Sequence, residues 1–265
     1  MKILTMATLK GGAGKTMNAF NIGGILAEKN KVLLIDVDPQ CNLSSNVGID
    51  ITDREAVTIK DVFEKLPKDQ PNADDLIVKN PIEELPKLDI IPSSIFLFKT
   101  EKKLVTKSDR ERILEKYLEK NLDVFKRYDY IIIDTNPSMS FTNINALLIA
   151  DDIILSCDVS NNSLTGAELF CELWDETREE LGKDDNISAL LISNYDGRSN
   201  LAKDLVDFTR EGSLKDLLLK NKINTTVKLK ETEVFHKPIN VQNPKHPACQ
   251  QYREVISELK KGKVL

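Results

Sequence analysis

The residues whose types and spacing could do chemistry begin near the N-terminus, at Lys10-Gly11-Gly12-Ala13-Gly14-Lys15-Thr16. This stretch follows Lys2 to Thr8, a short apolar run with β-formers, and leads into a helical pattern. Strand, glycine loop and helix N-terminus in that order make a phosphate cradle. Glycines let successive backbone N–H groups turn inward, and the helix presents its positive end to the same anions. The backbone from Gly11 to Met17 would wrap the phosphates, Lys15 would reach the β/γ oxygens and the Thr16 hydroxyl would hold Mg2+. The generic G-x-x-x-x-G-K-[ST] pattern has glycine where this chain has Leu9, and beside it stands a second lysine, Lys10. A glycine-rich turn with two surface lysines is the bland alternative, and the strand before and helix after weigh against it.

Carboxylates are placed to serve the same anions. Val32 to Ile35 is a β-branched run that delivers Asp36-Val37-Asp38-Pro39-Gln40 to the edge of a sheet. In an open parallel sheet ligands bind beyond the carboxyl ends of the strands, so these side chains should face the phosphates. Alone, either aspartate reads as a turn or capping residue. Tyr130-Ile131-Ile132-Ile133-Asp134 is a buried strand with a carboxylate at its carboxyl end, the Walker B arrangement that anchors Mg2+, usually through water. Asn194, at the end of the run Ile187 to Ser193, has an amide able to pair with N6 and N7 of adenine; as a turn residue it needs no such role.

The elements that must position these groups alternate along the chain. A helix is expected from Met17 to Lys29, where Gly23-Gly24 would let it lie close on the sheet. Residues 48–86 look like a polar excursion holding one helix near Thr58 to Leu66, and Leu88 to Ser93 reads as a strand stopped by proline. The apolar positions from Arg110 to Lys126 predict one amphipathic helix. Then come a strand at Ile153 to Cys157, a helix from about Thr165 to Leu181 with Trp174 in the core, and a closing helix around Tyr252 to Leu259. About seven strands alternating with helices imply one doubly wound α/β domain over residues 1–265, with a mostly parallel sheet.

Composition narrows the class. Hydrophobic content of 41% with only 6% aromatic residues suits the aliphatic core of a buried parallel sheet. Cys41, Cys157, Cys171 and Cys249 form no C-x-x-C pair, and His236 and His246 are the only histidines, so zinc, redox and histidine-triad chemistry have little to build on. With neither a long apolar run nor a signal peptide at the N-terminus, a cytoplasmic protein is expected. The net charge is −5, unevenly spread: residues 201–265 hold 13 Lys+Arg against 8 Asp+Glu, or +5, leaving −10 for the rest. A local basic face can bind phosphate backbones despite an acidic total.

K-G-G-x-G-K-T resembles the deviant Walker A motif of the ParA/MinD ATPases, and D-x-D-P-Q, L-D-I-I-P-S and the strand ending at Asp134 resemble the ParA group in turn. The resemblance covers essentially the whole chain and implies an ATPase that uses ATP and Mg2+. It implies that Lys10 crosses a homodimer interface to the partner's ATP, acting as an arginine finger would. It further implies that Asp38 orients or activates the attacking water and that Asp36 supports the magnesium shell. The family commonly continues D-x-P-P after the Walker B aspartate, and Asn136 departs from that pattern.

Function then follows by resemblance: ATP-driven dimerisation, non-specific DNA binding by joined basic surfaces, and release on hydrolysis stimulated by a ParB-like centromere-binding protein, on the nucleoid. Candidate phosphate contacts are Arg198, Lys220, Lys222, Lys228 and Lys230, each of which also reads as a solvated surface charge. With no helix-turn-helix extension before the nucleotide strand, operator binding is not expected. The alternatives are a MinD-like membrane ATPase and a nucleotide-gated scaffold or polymer for another cargo. Stable membrane association is not expected, because the apolar run of the closing helix stops before Lys260-Lys261 and no bulky aromatic follows.

Overall fold

The aliphatic runs become strands of one seven-stranded sheet in the computed structural model, which describes residues 1–265. In chain order these are β1 (Lys2–Ala7), β2 (Val32–Asp36), β3 (Val78–Lys79), β4 (Leu88–Ile91), β5 (Tyr130–Asp134), β6 (Asp152–Cys157) and β7 (Ile187–Ile192). Their spatial order is β3-β4-β2-β5-β1-β6-β7, with only β3 antiparallel to its neighbour. The sheet is therefore mostly parallel and wound in both directions from β1, as the strand and helix alternation predicts. Register places Asp134 at the level of both Asp36 and Met6, so the carboxyl ends of three adjacent strands converge.

Alternate side chains of each strand point to opposite faces, and both faces are covered, which is why the strands are apolar throughout. Leu4, Leu34 and Ile132 pack with Phe20 and Ile22 of α1 (Lys15–Leu26) and with Tyr252 and Val255 of the helix Pro247–Lys261. Ile3, Leu33, Ile131 and Ile133 pack on the other side against Phe63, Tyr117 and Phe125. Trp174 centres a third cluster, fully buried, and its indole donates to Asn186 Oδ1 at 2.9 Å. Gly23 does allow close contact: a Cβ there would sit 2.7 Å from Leu34 Cδ2, so α1 lies directly on β2. Gly24 instead makes room for Pro238, whose Cγ such a Cβ would approach to 2.5 Å.

Three expectations need correction. The helix expected over 110–126 is broken into a 3-10 turn (Arg110–Arg112) and two helices, Ile113–Lys120 and Leu122–Phe125. At the break Asn121 leaves the helical conformation (φ −115°, ψ 28°), and its side chain donates to the Tyr117 carbonyl and accepts the Ala73 amide, which anchors the bend to the helix Ala73–Leu76. The excursion 48–86 holds, besides Ile59–Glu64, a short helix (Ala73–Leu76) and the edge strand β3. A helix not anticipated at all, Leu97–Leu104, follows the proline that stops β4. No helix is long and apolar enough to cross a membrane.

Candidate nucleotide-binding site

β1 ends in a loop that two left-handed glycines turn back on itself, Gly12 at φ +79° and Gly14 at φ +90°, and α1 begins at Lys15. Side chains at Gly11 or Gly12 would meet no atom within 4 Å, because both face a cleft of about 730 Å³. Lys15, Thr16, Met17, Asp38 and Asn194 also line it. Lys15 is buried, yet its ammonium makes no hydrogen bond or ion pair within the chain. Burial lowers its pKa, opposed by the charges of Asp134 and Asp38. A buried cation with no partner in a glycine-walled cleft has the make-up of an anion site.

The acid side of the cleft is equally specific. Thr16 Oγ1 donates to Asp134 Oδ2 at 2.6 Å, while Asp134 Oδ1 is buried without a hydrogen-bond partner. Burial raises the Asp134 pKa well above the usual carboxylate range, the neighbouring Asp36 charge adds to this, and the Thr16 bond and the Lys15 charge oppose it. An orphaned carboxylate oxygen beside a threonine hydroxyl fits a divalent cation, which would relieve the cost of burying that charge. Asp36 is differently engaged: Oδ1 accepts the Asp38 amide at 3.0 Å, and Oδ2 accepts both the amide and the hydroxyl of Ser44. Burial nevertheless pushes its pKa up to about 7, against those hydrogen bonds. Asp38 accepts the Gln40 amide with Oδ1, and burial raises its pKa against that bond and the Lys15 charge.

Lys10 lies outside this cleft. Its ammonium donates to Asp158 Oδ2 at 2.6 Å and to Ser160 Oγ at 2.8 Å, just past the end of β6. Asn194 is left-handed at φ +53° and its amide donates to the Gly12 carbonyl at 3.3 Å, tying the end of β7 to the loop. Asn136 is knitted into the segment after Asp134: Asn143 Nδ2 donates to its carbonyl at 2.8 Å and to its Oδ1 at 3.0 Å, and the Ser138 hydroxyl donates to the same Oδ1.

Gln40 of the D-x-D-P-Q stretch and Asn42 line the cleft with Asp38, but sequence reasoning missed a second wall, formed by Thr225, Thr226, Glu233 and Val234 around the helix Val227–Phe235. Nothing in the spacing of residues so distant from the loop marks them. It also missed the buried polar group behind the loop, where Asn18 donates to Ser156 Oγ (3.1 Å) and Ser193 Oγ (2.9 Å) and accepts from the Tyr252 hydroxyl (2.9 Å).

The five basic residues singled out do not act alike. Lys230 lines the nucleotide cleft. Arg198 is paired with Asp196, and Lys228 with Glu231. Lys222 lies over the Tyr195 ring, 5.3 Å from its centroid, and Lys220 carries no ion pair.

A sheet switching direction at β1, with a phosphate loop at that point, places the chain among the P-loop nucleotide-binding proteins. Residues 1–188 match the family described as "AAA domain". The chain is 32% identical to the sporulation initiation inhibitor protein Soj of Bacillus subtilis, over 97% of this chain and 98% of that protein. It is 31% identical to the chromosome partitioning protein ParA of Myxococcus xanthus, over 98% of this chain and 88% of that one. Among solved structures, a plasmid partition protein from Borrelia burgdorferi bound to AMPPNP superposes with a TM-score of 0.78 at 26% identity, covering 98% of each chain. The cobyrinic acid a,c-diamide synthase of Mycobacterium smegmatis, with an ATP analogue and magnesium, gives 0.80 at 25% identity over 98% of this chain and 95% of that one. The chain belongs to the ParA/Soj family of P-loop ATPases.

Proposed function

We propose that residues 1–265 act as one ATPase domain that segregates DNA: ATP binding closes a homodimer, the dimer binds DNA without sequence preference, and a ParB-like partner stimulates a slow hydrolysis that releases it. The observation that carries this reading is Lys10. A lysine inside the glycine loop that does not line its own cleft, and is held instead by Asp158 and Ser160, becomes available to a second copy once it leaves that carboxylate. Charge supplied in trans where the transferred phosphoryl group becomes negative would make nucleotide both substrate and dimer glue.

Within one subunit, Gly11 to Met17 would hold the phosphates and Lys15 would neutralise them. Thr16 and Asp134 would hold Mg2+, with Asp36 keeping the 36–44 segment in place behind them. The metal, when bound, supplies charge neutralisation at the phosphate oxygens. Asp38, its Oδ2 uncommitted at the cleft, would orient the attacking water, and Asn194 would face the base. Arg198, Lys220, Lys222 and Lys228 remain the proposed DNA contacts, with Lys230 reassigned to the nucleotide side. The relatives' names as partitioning proteins support the cargo assignment. A cytoplasmic, nucleoid-bound protein is the corresponding location.

The test is binding of the purified protein to random-sequence duplex DNA with ATP, ADP or no nucleotide, for wild type and Lys10→Ala. Binding that requires ATP and disappears in the variant is expected; binding indifferent to nucleotide, or unchanged in the variant, overturns the reading.

A further inference from the structure

The helix Leu97–Leu104 buries Leu97, Thr100 and Leu104 and turns an unusual face outward. Ile95, Phe98 and Val105 are 57%, 52% and 56% exposed, and Phe98, Lys102 and Val105 follow helical spacing along one side. At its start three cations surround one aromatic ring: Lys99, Arg54 and Lys60 lie 5.5, 5.7 and 6.0 Å from the Phe96 centroid. No carboxylate pairs with any of them or with Lys102. The nearby acids are committed elsewhere, Asp61 to Lys65, Glu64 to Thr100 and Lys103, and Glu101 to Thr142; Asp53 and Glu55 flank Arg54 in the exposed loop without pairing to it. Like charges gathered with no carboxylate in direct contact are unfavourable in the isolated chain and become favourable when an anionic partner arrives.

The same helix reaches the nucleotide site. Glu101 Oε1 accepts the amide (2.9 Å) and hydroxyl (2.5 Å) of Thr142, and Oε2 accepts the Phe141 amide (3.2 Å), so one carboxylate caps the helix Phe141–Ile149. The next residue, Asn143, donates to the carbonyls of Asn136 and Ser138, in the segment that starts at Asp134. Two sets of hydrogen bonds, joined by short stretches of chain, thus tie the exposed helix to the segment that follows Asp134.

We propose that the face formed by Ile95, Phe98 and Val105, with Lys102 on the same side and the Arg54, Lys60 and Lys99 cluster next to it at Phe96, docks an acidic amphipathic segment of a partner protein, and that Glu101 relays docking to the segment after Asp134. A second copy of the chain would bring these cations against their own kind. DNA phosphates would satisfy the cations but leave the three apolar side chains in water. A bilayer would gain little from so short a helix. A partner segment carrying both carboxylates and apolar anchors satisfies both parts of the face. The effect on hydrolysis rests on the partner-stimulated reading above; the docking does not.

The test uses the full chain and a fluorescent synthetic peptide with Leu at i, i+3, i+4 and i+7 and Glu elsewhere, with random duplex DNA and phosphatidylserine vesicles as parallel probes. Peptide binding is expected to weaken about tenfold in Phe98→Ser/Lys99→Glu/Lys102→Glu, all exposed positions whose replacement leaves the melting temperature unchanged. Glu101→Gln is expected to bind the peptide as wild type does, while its ATP turnover no longer responds to it. Equal peptide binding by wild type and triple variant, or no binding to either, overturns the docking, as does loss of vesicle or DNA binding instead of peptide binding. Turnover in Glu101→Gln that responds as in wild type, or wild-type turnover indifferent to bound peptide, overturns the relay. If the peptide docks as expected while wild type ignores DNA in every nucleotide state, the segregation reading fails and the docking stands.

Discussion

If ATP closes the proposed homodimer through Lys10, neutralising Asp158 should strengthen that dimer. In the single chain Lys10 is held by a charge-assisted bond of 2.6 Å to Asp158 Oδ2, with side-chain exposures of 30% and 20% for the pair. To reach a partner's phosphates the lysine must first leave this carboxylate. A hydrogen bond to a charged group contributes roughly 1.5–3 kcal/mol when shielded, and partial exposure reduces that to about 1 kcal/mol. Two lysines leave per dimer, so Asp158→Asn should favour dimerisation by about 2 kcal/mol, or roughly 30-fold in the dimer Kd. Sedimentation equilibrium in ATP over a protein concentration series measures this directly. In Lys10→Ala, where the pair is already gone, Asp158→Asn should not restore the dimer, which separates release of Lys10 from a general effect of the lost charge. A Kd unchanged or weakened by Asp158→Asn alone, with circular dichroism unaltered, refutes the view that this pair competes with the dimer contact.

Other consequences are smaller in scope. Gly14→Ala puts a side chain at φ +90° and its Cβ 3.0 Å from Ser193 Cβ, so it should cost about 2 kcal/mol and lower Tm by several degrees in calorimetry, with weaker stabilisation by added MgATP. Tyr252→Phe removes one of two donors to buried Asn18 Oδ1, the other being Ser193 Oγ, so urea denaturation should show a loss near the low end of roughly 1–3 kcal/mol. Burial alone would raise the Asp89 pKa, but hydrogen bonds from Tyr128 and Lys31 outweigh it and hold the carboxyl below its ordinary value. Its contribution is therefore present above the unfolded pKa of about 3.9 and is lost as pH falls through the lower folded value. The stability gap between wild type and Asp89→Asn, measured in denaturant at several pH values, should be steady near neutrality and shrink below about pH 4.

Much of the nucleotide side was legible because its signals are local. Strand, glycine loop and helix are contiguous, and an aliphatic run ending in aspartate announces both burial and the end of a strand where ligands lie. Periodicity misled where a distant segment bends the chain, as at Asn121, whose non-helical backbone and bond to the Ala73 amide split an otherwise helical pattern. The helix Leu97–Leu104 escaped notice for another reason: Leu97, Thr100 and Leu104 do form a buried stripe, but eight residues make only about two turns, too few for the period to stand out.

By itself, then, the order of residues determined the parallel α/β class, the phosphate loop, and the aspartates at the strand ends, since each depends on neighbours within a few positions. Only the tertiary structure decided which carboxylate keeps a free oxygen, because Asp36 is saturated by Ser44 and the Asp38 amide while Asp134 Oδ1 finds no partner. Only it showed Lys10 held by Asp158 and Ser160, Lys230 turned into the nucleotide cleft, and Glu101 capping the helix after Asp134. Such pairings join groups up to 150 positions apart in the chain. They arise from strand order and from competition for hydrogen bonds in a buried space, and neither is written in local spacing.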